Sequence, residues 1–341
     1  MYKVLGIIFI LLLPWQVAGA NTDRMMRIVG GNPAGQNAWP SVVAIKTTAT
    51  GEVLCGGNLI HPLWVLTAAH CVQGEAAGLS YEYTPPDMVI FSGAIGLDSP
   101  KGRHMNVSRI VVHPHYNPRS GINDLALLML SAPLEGATMP VYANNPPPGT
   151  AATVVGWGAR QANGKDGIPA NYPRTLQQVS IPIVDNAVCN RPNAYGGKIQ
   201  GNMLCAGLPE GGKDACVGDS GGPLMVRLNG VYRQVGIVSQ GDGCARPGKY
   251  GIYTRVANYA PWIQQYAPPP YAGMPITTPD NPKMLYPGGA GGMDLAWFIG
   301  VLSAILIAVG VRMSVKRAKY CRVPPVYAAD ASPRKARTET R

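Results

Sequence analysis

A serine among glycines, a histidine beside a cysteine and an aspartate heading an apolar run stand far apart in this 341-residue chain. The serine lies in Gly218-Asp219-Ser220-Gly221-Gly222-Pro223, where missing side chains let a carbonyl approach the backbone closely. The histidine lies in Leu66-Thr67-Ala68-Ala69-His70-Cys71 and the aspartate in Asn123-Asp124-Leu125-Ala126-Leu127-Leu128. A serine hydroxyl is a poor nucleophile until a base takes its proton, and a histidine does this well only when a carboxylate holds its tautomer. Together the three residue types carry the chemistry of acyl transfer.

The elements that must position them are short. β-rich runs at 41–45, 64–67, 153–155 and 234–239 are separated by Gly, Pro and Asn turns, which predicts an all-β barrel or sandwich rather than alternating βαβ units. A short helix is expected over 259–266, with Trp262 and Ile263 central, and no tandem repeat is visible. Hydrophobic residues make up 46% of the chain, enough for a sizeable core. The net charge of +11 is concentrated at one end: residues 28–266 hold 16 Lys/Arg against 13 Asp/Glu, and residues 312–341 hold 9 against 2. A nucleic-acid site is not what this distribution suggests.

The first twenty residues read as a signal peptide: Lys3, an apolar run over 4–13, and Ala18-Gly19-Ala20 at the cut. Export would expose six of the seven cysteines, at 55, 71, 189, 205, 216 and 244, to oxidation. Six cysteines allow 15 pairings, and spacing alone does not choose among them. Cys321 stands apart.

The His70, Asp124 and Ser220 motifs, in that order, together with Arg27-Ile28-Val29-Gly30-Gly31, resemble the trypsin/chymotrypsin family of serine proteases, from about residue 27 to Trp262. The resemblance implies two antiparallel six-stranded β-barrels with the active site between them and a short C-terminal helix. It makes Ser220 the nucleophile, His70 the general base and acid, and Asp124 the carboxylate that orients it. Backbone N–H groups of Gly218 and Ser220 would form the oxyanion hole. Ser239 matches the serine beside the family's catalytic aspartate. Asp214, six residues before Ser220, matches the acid at the base of the primary pocket, with Gly241 and Gly251 at its walls. That set implies cleavage after Arg and Lys in proteins or peptides, and Ala215, in place of a common serine, tilts the expectation toward Arg. The family pairing gives Cys55–Cys71, Cys189–Cys205 and Cys216–Cys244.

The same resemblance implies a zymogen: after signal removal, residues 21–27 form a propeptide, and a cut after Arg27 frees Ile28 to pair with Asp219. A binding module that has lost catalysis is the rival class, and the retained Gly218, Asp214 and three catalytic positions argue against it. Ser239-Gln240-Gly241 departs from the usual Ser-Trp-Gly, removing an aromatic platform for substrate residues upstream of the cut. Tyr250 stands where that family associates a tyrosine with a sodium-binding loop, although a plain turn tyrosine reads equally well. No metal site is expected.

Beyond the protease domain at 28–266, residues 267–292 contain seven prolines and end in a Gly288–Gly292 cluster, a spacer composition. Residues 295–311 are 17 uncharged positions, about 25 Å as a helix, and five cations follow between Arg312 and Arg322. The order resembles the glycine-glycine sorting signal of bacterial exoproteins, trimmed by a rhomboid-like protease. It also reads as a retained transmembrane helix with a basic cytoplasmic tail at 312–341. Both readings put the exported domain at a membrane or cell surface, or secreted after trimming.

Overall fold

The computed structural model describes residues 28–76, 78–159 and 173–268. The strands, in chain order, begin with β1 (Asn32–Pro33), β2 (Val42–Thr47), β3 (Val53–His61), β4 (Trp64–Thr67), β5 (Gln73–Ala76) and β6 (Leu79–Glu82). Next come β7 (Met88–Ser92), β8 (Arg103–Val112), β9 (Ala126–Leu130), β10 (Ala151–Gly156) and β11 (Gln177–Val184). A one-turn helix α1 (Asn186–Cys189) precedes β12 (Met203–Ala206), β13 (Pro223–Leu228), β14 (Val231–Gln240), β15 (Gly251–Arg255) and α2 (Ala260–Tyr266). The expected strands at 41–45, 64–67, 153–155 and 234–239 all lie on or within one residue of observed strands, and the expected closing helix starts one residue later, at Ala260. The signal, propeptide, most of the spacer, the 295–311 run and the basic tail lie outside the described residues. Among the described residues no helix is long and apolar enough to cross a membrane.

Six strands close the first barrel in the order β2-β3-β4-β9-β8-β7. The second runs β11-β10-β13-β14-β15-β12 and closes through the β11–β12 pairing, with β1 added outside β11. All these pairings are antiparallel, as expected where short turns join neighbours. Of the barrel and the sandwich left open by the short β-rich runs of the sequence, the barrel is therefore the outcome. Along β11 the buried positions Gln177, Val179, Ile181 and Ile183 alternate with more open ones, the period-two signature of a strand with one face on a core.

Each barrel has its own core, Val43, Leu59, Leu66, Ile90 and Leu127 in the first and Val154, Ile181, Leu224 and Val226 in the second. A third cluster, with Val42, Ala44 and Phe91 from the first barrel and Val155, Trp157 and Met225 from the second, joins them. Asn58 on β3 donates to Gln234 on β14 at 2.7 Å, so the junction is fixed in register as well as buried. Loops from both barrels meet at this junction.

Candidate active site

His70 sits in a single 3₁₀ turn, Ala69–Cys71, just beyond the end of β4. Asp124 comes just before β9, and Thr67 of β4 pairs with Ala126 of β9, so both residues leave neighbouring strands at the same end. His70 Nδ1 lies 2.7 Å from Asp124 Oδ2, and the His70 main-chain N–H donates to Oδ1 at 2.9 Å. Ser239 Oγ donates to Oδ2 at 2.5 Å, and Thr254 Oγ1 donates to the Asp124 carbonyl at 2.7 Å. Burial alone would raise the Asp124 carboxyl, but the His70 charge and these hydrogen bonds outweigh it and hold the group below its ordinary value. For His70, burial lowers and the Asp124 charge and hydrogen bond raise, with a net rise above 6.5. A carboxylate so placed keeps the proton on Nδ1 and leaves Nε2 free to accept another.

Ser220 comes from the second barrel, in the turn leading into β13. Its carbonyl accepts from the Gly56 N–H on β3 at 2.8 Å, and the next residue, Gly221, donates to Val238 at 2.8 Å. Gly56 adjoins Cys55, whose disulfide partner Cys71 follows His70 directly. The serine turn and the histidine turn are thus fastened to each other across the junction. Gly218 has φ of +93°, a left-handed conformation that costs a residue with a side chain.

Beside Ser220 opens a cavity of about 250 Å³ lined by Asp214, Ser239, Gly241 and Gly251 among others. Asp214 is 3% exposed; Oδ2 accepts from Ala245 N–H at 3.0 Å, and Oδ1 is buried without a hydrogen-bond partner. A Cβ on Gly251 would lie 2.7 Å from that oxygen, closer than a carbon can sit, so only glycine fits against the carboxylate. Burial pushes the Asp214 carboxyl up to about 7, against backbone hydrogen bonds from Ala245 and Ala215. A serine beside this cavity, with a histidine and its buried carboxylate fastened to the serine turn across the junction, has the parts of an acyl-transfer site.

A model of the trypsin family matches residues 28–263, well over half of the chain. The chain belongs to the trypsin family. It is therefore a serine endopeptidase, a hydrolase acting on proteins or peptides. The three disulfides that the family resemblance implied are formed: Cys55–Cys71, Cys189–Cys205 and Cys216–Cys244. The third joins two residues that both line the Asp214 cavity. Closing a loop of 16 residues, as the first two do, stabilises by about 3 kcal/mol. His70 also lies close to Cys55 and Cys71, but their sulfurs are bonded to each other and offer a metal no thiolate.

In this trypsin-family chain the Asp219 side chain is fully buried. It accepts from Gly158 N–H at 2.8 Å and Cys216 N–H at 2.9 Å. Burial exceeds what those bonds return, and its carboxyl is pushed up to about 6. The Ile28 side chain is buried in the second-barrel core, and the Val29 carbonyl accepts from Asp214 N–H at 3.2 Å. Arg27 lies outside the described residues. Tyr250 is buried, and its carbonyl accepts from the Tyr195 hydroxyl at 2.6 Å.

Sequence reasoning missed the second ring of contacts. The Tyr81 hydroxyl on β6 donates to the His70 carbonyl at 2.5 Å, and Thr254 holds the Asp124 backbone. Neither residue sits in a motif; Tyr81 reaches His70 from the β5–β6 hairpin, outside both barrels, and Thr254 reaches Asp124 from β15 of the second barrel. The β5–β6 hairpin itself, which follows the histidine turn and carries the exposed Leu79, was also not foreseen.

Proposed function

We propose that this protease cuts after Arg and Lys and is made as a precursor activated at the Arg27–Ile28 bond. Ser220 Oγ attacks the substrate carbonyl as His70 Nε2 takes its proton, giving a tetrahedral oxyanion that the Gly218 and Ser220 N–H groups stabilise. Collapse breaks the peptide bond. His70 returns the proton to the leaving amine, and the acyl group remains on Ser220 until water, deprotonated by His70, releases it. Asp124 holds the imidazole throughout and keeps its charge.

The observation that supports the specificity is Asp214, which lines the cavity beside Ser220 and has a buried Oδ1 without a hydrogen-bond partner. A guanidinium supplies paired, charge-assisted donors to such a carboxylate and relieves the cost of its burial. The same reasoning supports activation. Asp219 is buried with backbone donors only, and a freed Ile28 ammonium would supply its missing charge. Export, and membrane retention or trimming through residues 288–311, complete the reading and rest on the sequence alone.

The test is kcat/KM for matched amide substrates ending in Arg or Phe. Arg is expected to win by about 10²- to 10⁴-fold, since opening a buried charge pair costs about 3–5 kcal/mol. Asp214→Ser should remove that advantage. Equal turnover of Arg and Phe by the unaltered enzyme contradicts the reading.

A further inference from the structure

A second cavity, about 550 Å³, lies beside the Asp214 cavity and shares Gln240, Gly241 and Ile252 with it. A substrate whose carbonyl reaches Ser220 and whose side chain fills the first cavity leaves toward its N-terminus along Ser239-Gln240-Gly241. At about 3.3 Å per extended residue, its third and fourth residues back from the bond arrive at the second cavity.

The walls there are cationic. Arg119, Lys198 and Lys249 line the cavity, with Asp242 as the single acid. Asp242 is already engaged, 3.0 Å from Lys249 Nζ and 2.6 Å from Arg246 Nη1. Arg119 meets Glu75 of the β5–β6 hairpin only at 3.4 Å and is largely exposed. Lys198 has no ion-pair partner among the described residues. Counting the partners just outside the wall, four cations face two carboxylates. Gln240 is exposed and makes no side-chain hydrogen bond among the described residues, so its amide is a free donor. The cavity's Tyr195 ring, the aromatic surface an apolar group would seek, already carries the Lys249 ammonium 5.4 Å from its centroid.

We propose that this second cavity selects an acidic side chain three or four residues upstream of the bond cut, with Lys198 as its principal contact. The proposal rests on the trypsin-like reading and narrows its substrate class from any exposed Arg or Lys to basic residues preceded by an acid. The chain's own Arg24, fourth before the Arg27–Ile28 bond, would meet like charge there, so this enzyme cuts its own activation site poorly.

Fluorogenic tetrapeptide amides ending in Arg, with Glu, Gln or Lys at the third or fourth position back, test it. The active enzyme should prefer Glu over Gln by about three- to tenfold in kcat/KM, and Lys should rank last. The preference should shrink as NaCl rises, because the side chains involved are exposed. Lys198→Glu should invert the Glu-to-Lys order, and Lys198→Arg should preserve it. Cleavage of all three within about twofold, or a preference for Lys, overturns the inference while leaving cleavage after Arg intact. If none of the Arg peptides is cut, the trypsin-like reading fails and takes this inference with it.

Discussion

Asp124 and the pair Asp214 and Asp219 are all buried carboxylates, yet they are pushed in opposite directions. Asp124, on the first barrel, meets His70, Ser239 and the His70 N–H, and its carboxyl is held low. Asp214 and Asp219, on the loop before β13, receive only backbone donors, and burial drives them up to about 7 and about 6. The Asp124 site has its charge partner within the fold, whereas Asp214 and Asp219 have none among the described residues. On the reading proposed above, a substrate guanidinium would supply the charge for one and a new N-terminus for the other, so that chemistry would be preorganised while specificity and activation would depend on added charge.

The complete site should break hardest. Ser220→Ala and His70→Ala should each lower kcat by about 10⁴- to 10⁶-fold, with the double variant scarcely worse, because the residues act as one unit. Near-normal turnover in either single variant would show that the residues are misassigned.

Next comes the loop that awaits its cation. Arg27→Gln should give a folded precursor with little amidase activity, and Asp219→Asn should lose about 10²- to 10³-fold even in chains that begin at Ile28. N-terminal sequencing alongside the amidase assay checks both. Full activity from a chain still starting upstream of Ile28 would place Asp219 with Asp124, complete from the outset.

The pH dependence separates the two regions more finely. His70 must be neutral to act, and its pKa is raised, so activity should fall as pH drops through a value above 6.5. Free Asp214, raised to about 7, should also take up a proton there and lose its hold on Arg. Bound guanidinium favours the charged carboxylate and pulls that value back down. kcat/KM for Arg substrates should therefore fall with a slope near two, and kcat with a slope near one. A slope of one in both would mean that Asp214 stays ionised in the free enzyme. The smallest effect is expected at Ser239→Ala, which removes one of several donors to Asp124 and should lower kcat by about tenfold.

The candidate catalytic residues could be singled out because the chemistry demands fixed residue types inside glycine- or strand-flanked motifs, as at Ser220 and His70. Strands such as β4 and β9 were legible because their apolar runs face a core. Tyr81 and Thr254 were not, since one hydroxyl among many gains its role only when antiparallel pairing carries it to another motif's backbone. The cation-lined cavity was hidden for the same reason: Arg119, Lys198 and Lys249 are spread over 130 positions and meet only through loops. Gln240 gave a sign of it, as a departure at a substrate-facing strand.

The most direct test of the account is to digest an unfolded protein with the enzyme beginning at Ile28, beside its Ser220→Ala variant, and to read every new terminus by mass spectrometry. The account predicts cuts after Arg and Lys, and none from Ser220→Ala. Cuts after aromatic or aliphatic residues, or the same cuts from the Ser220→Ala protein, would contradict it.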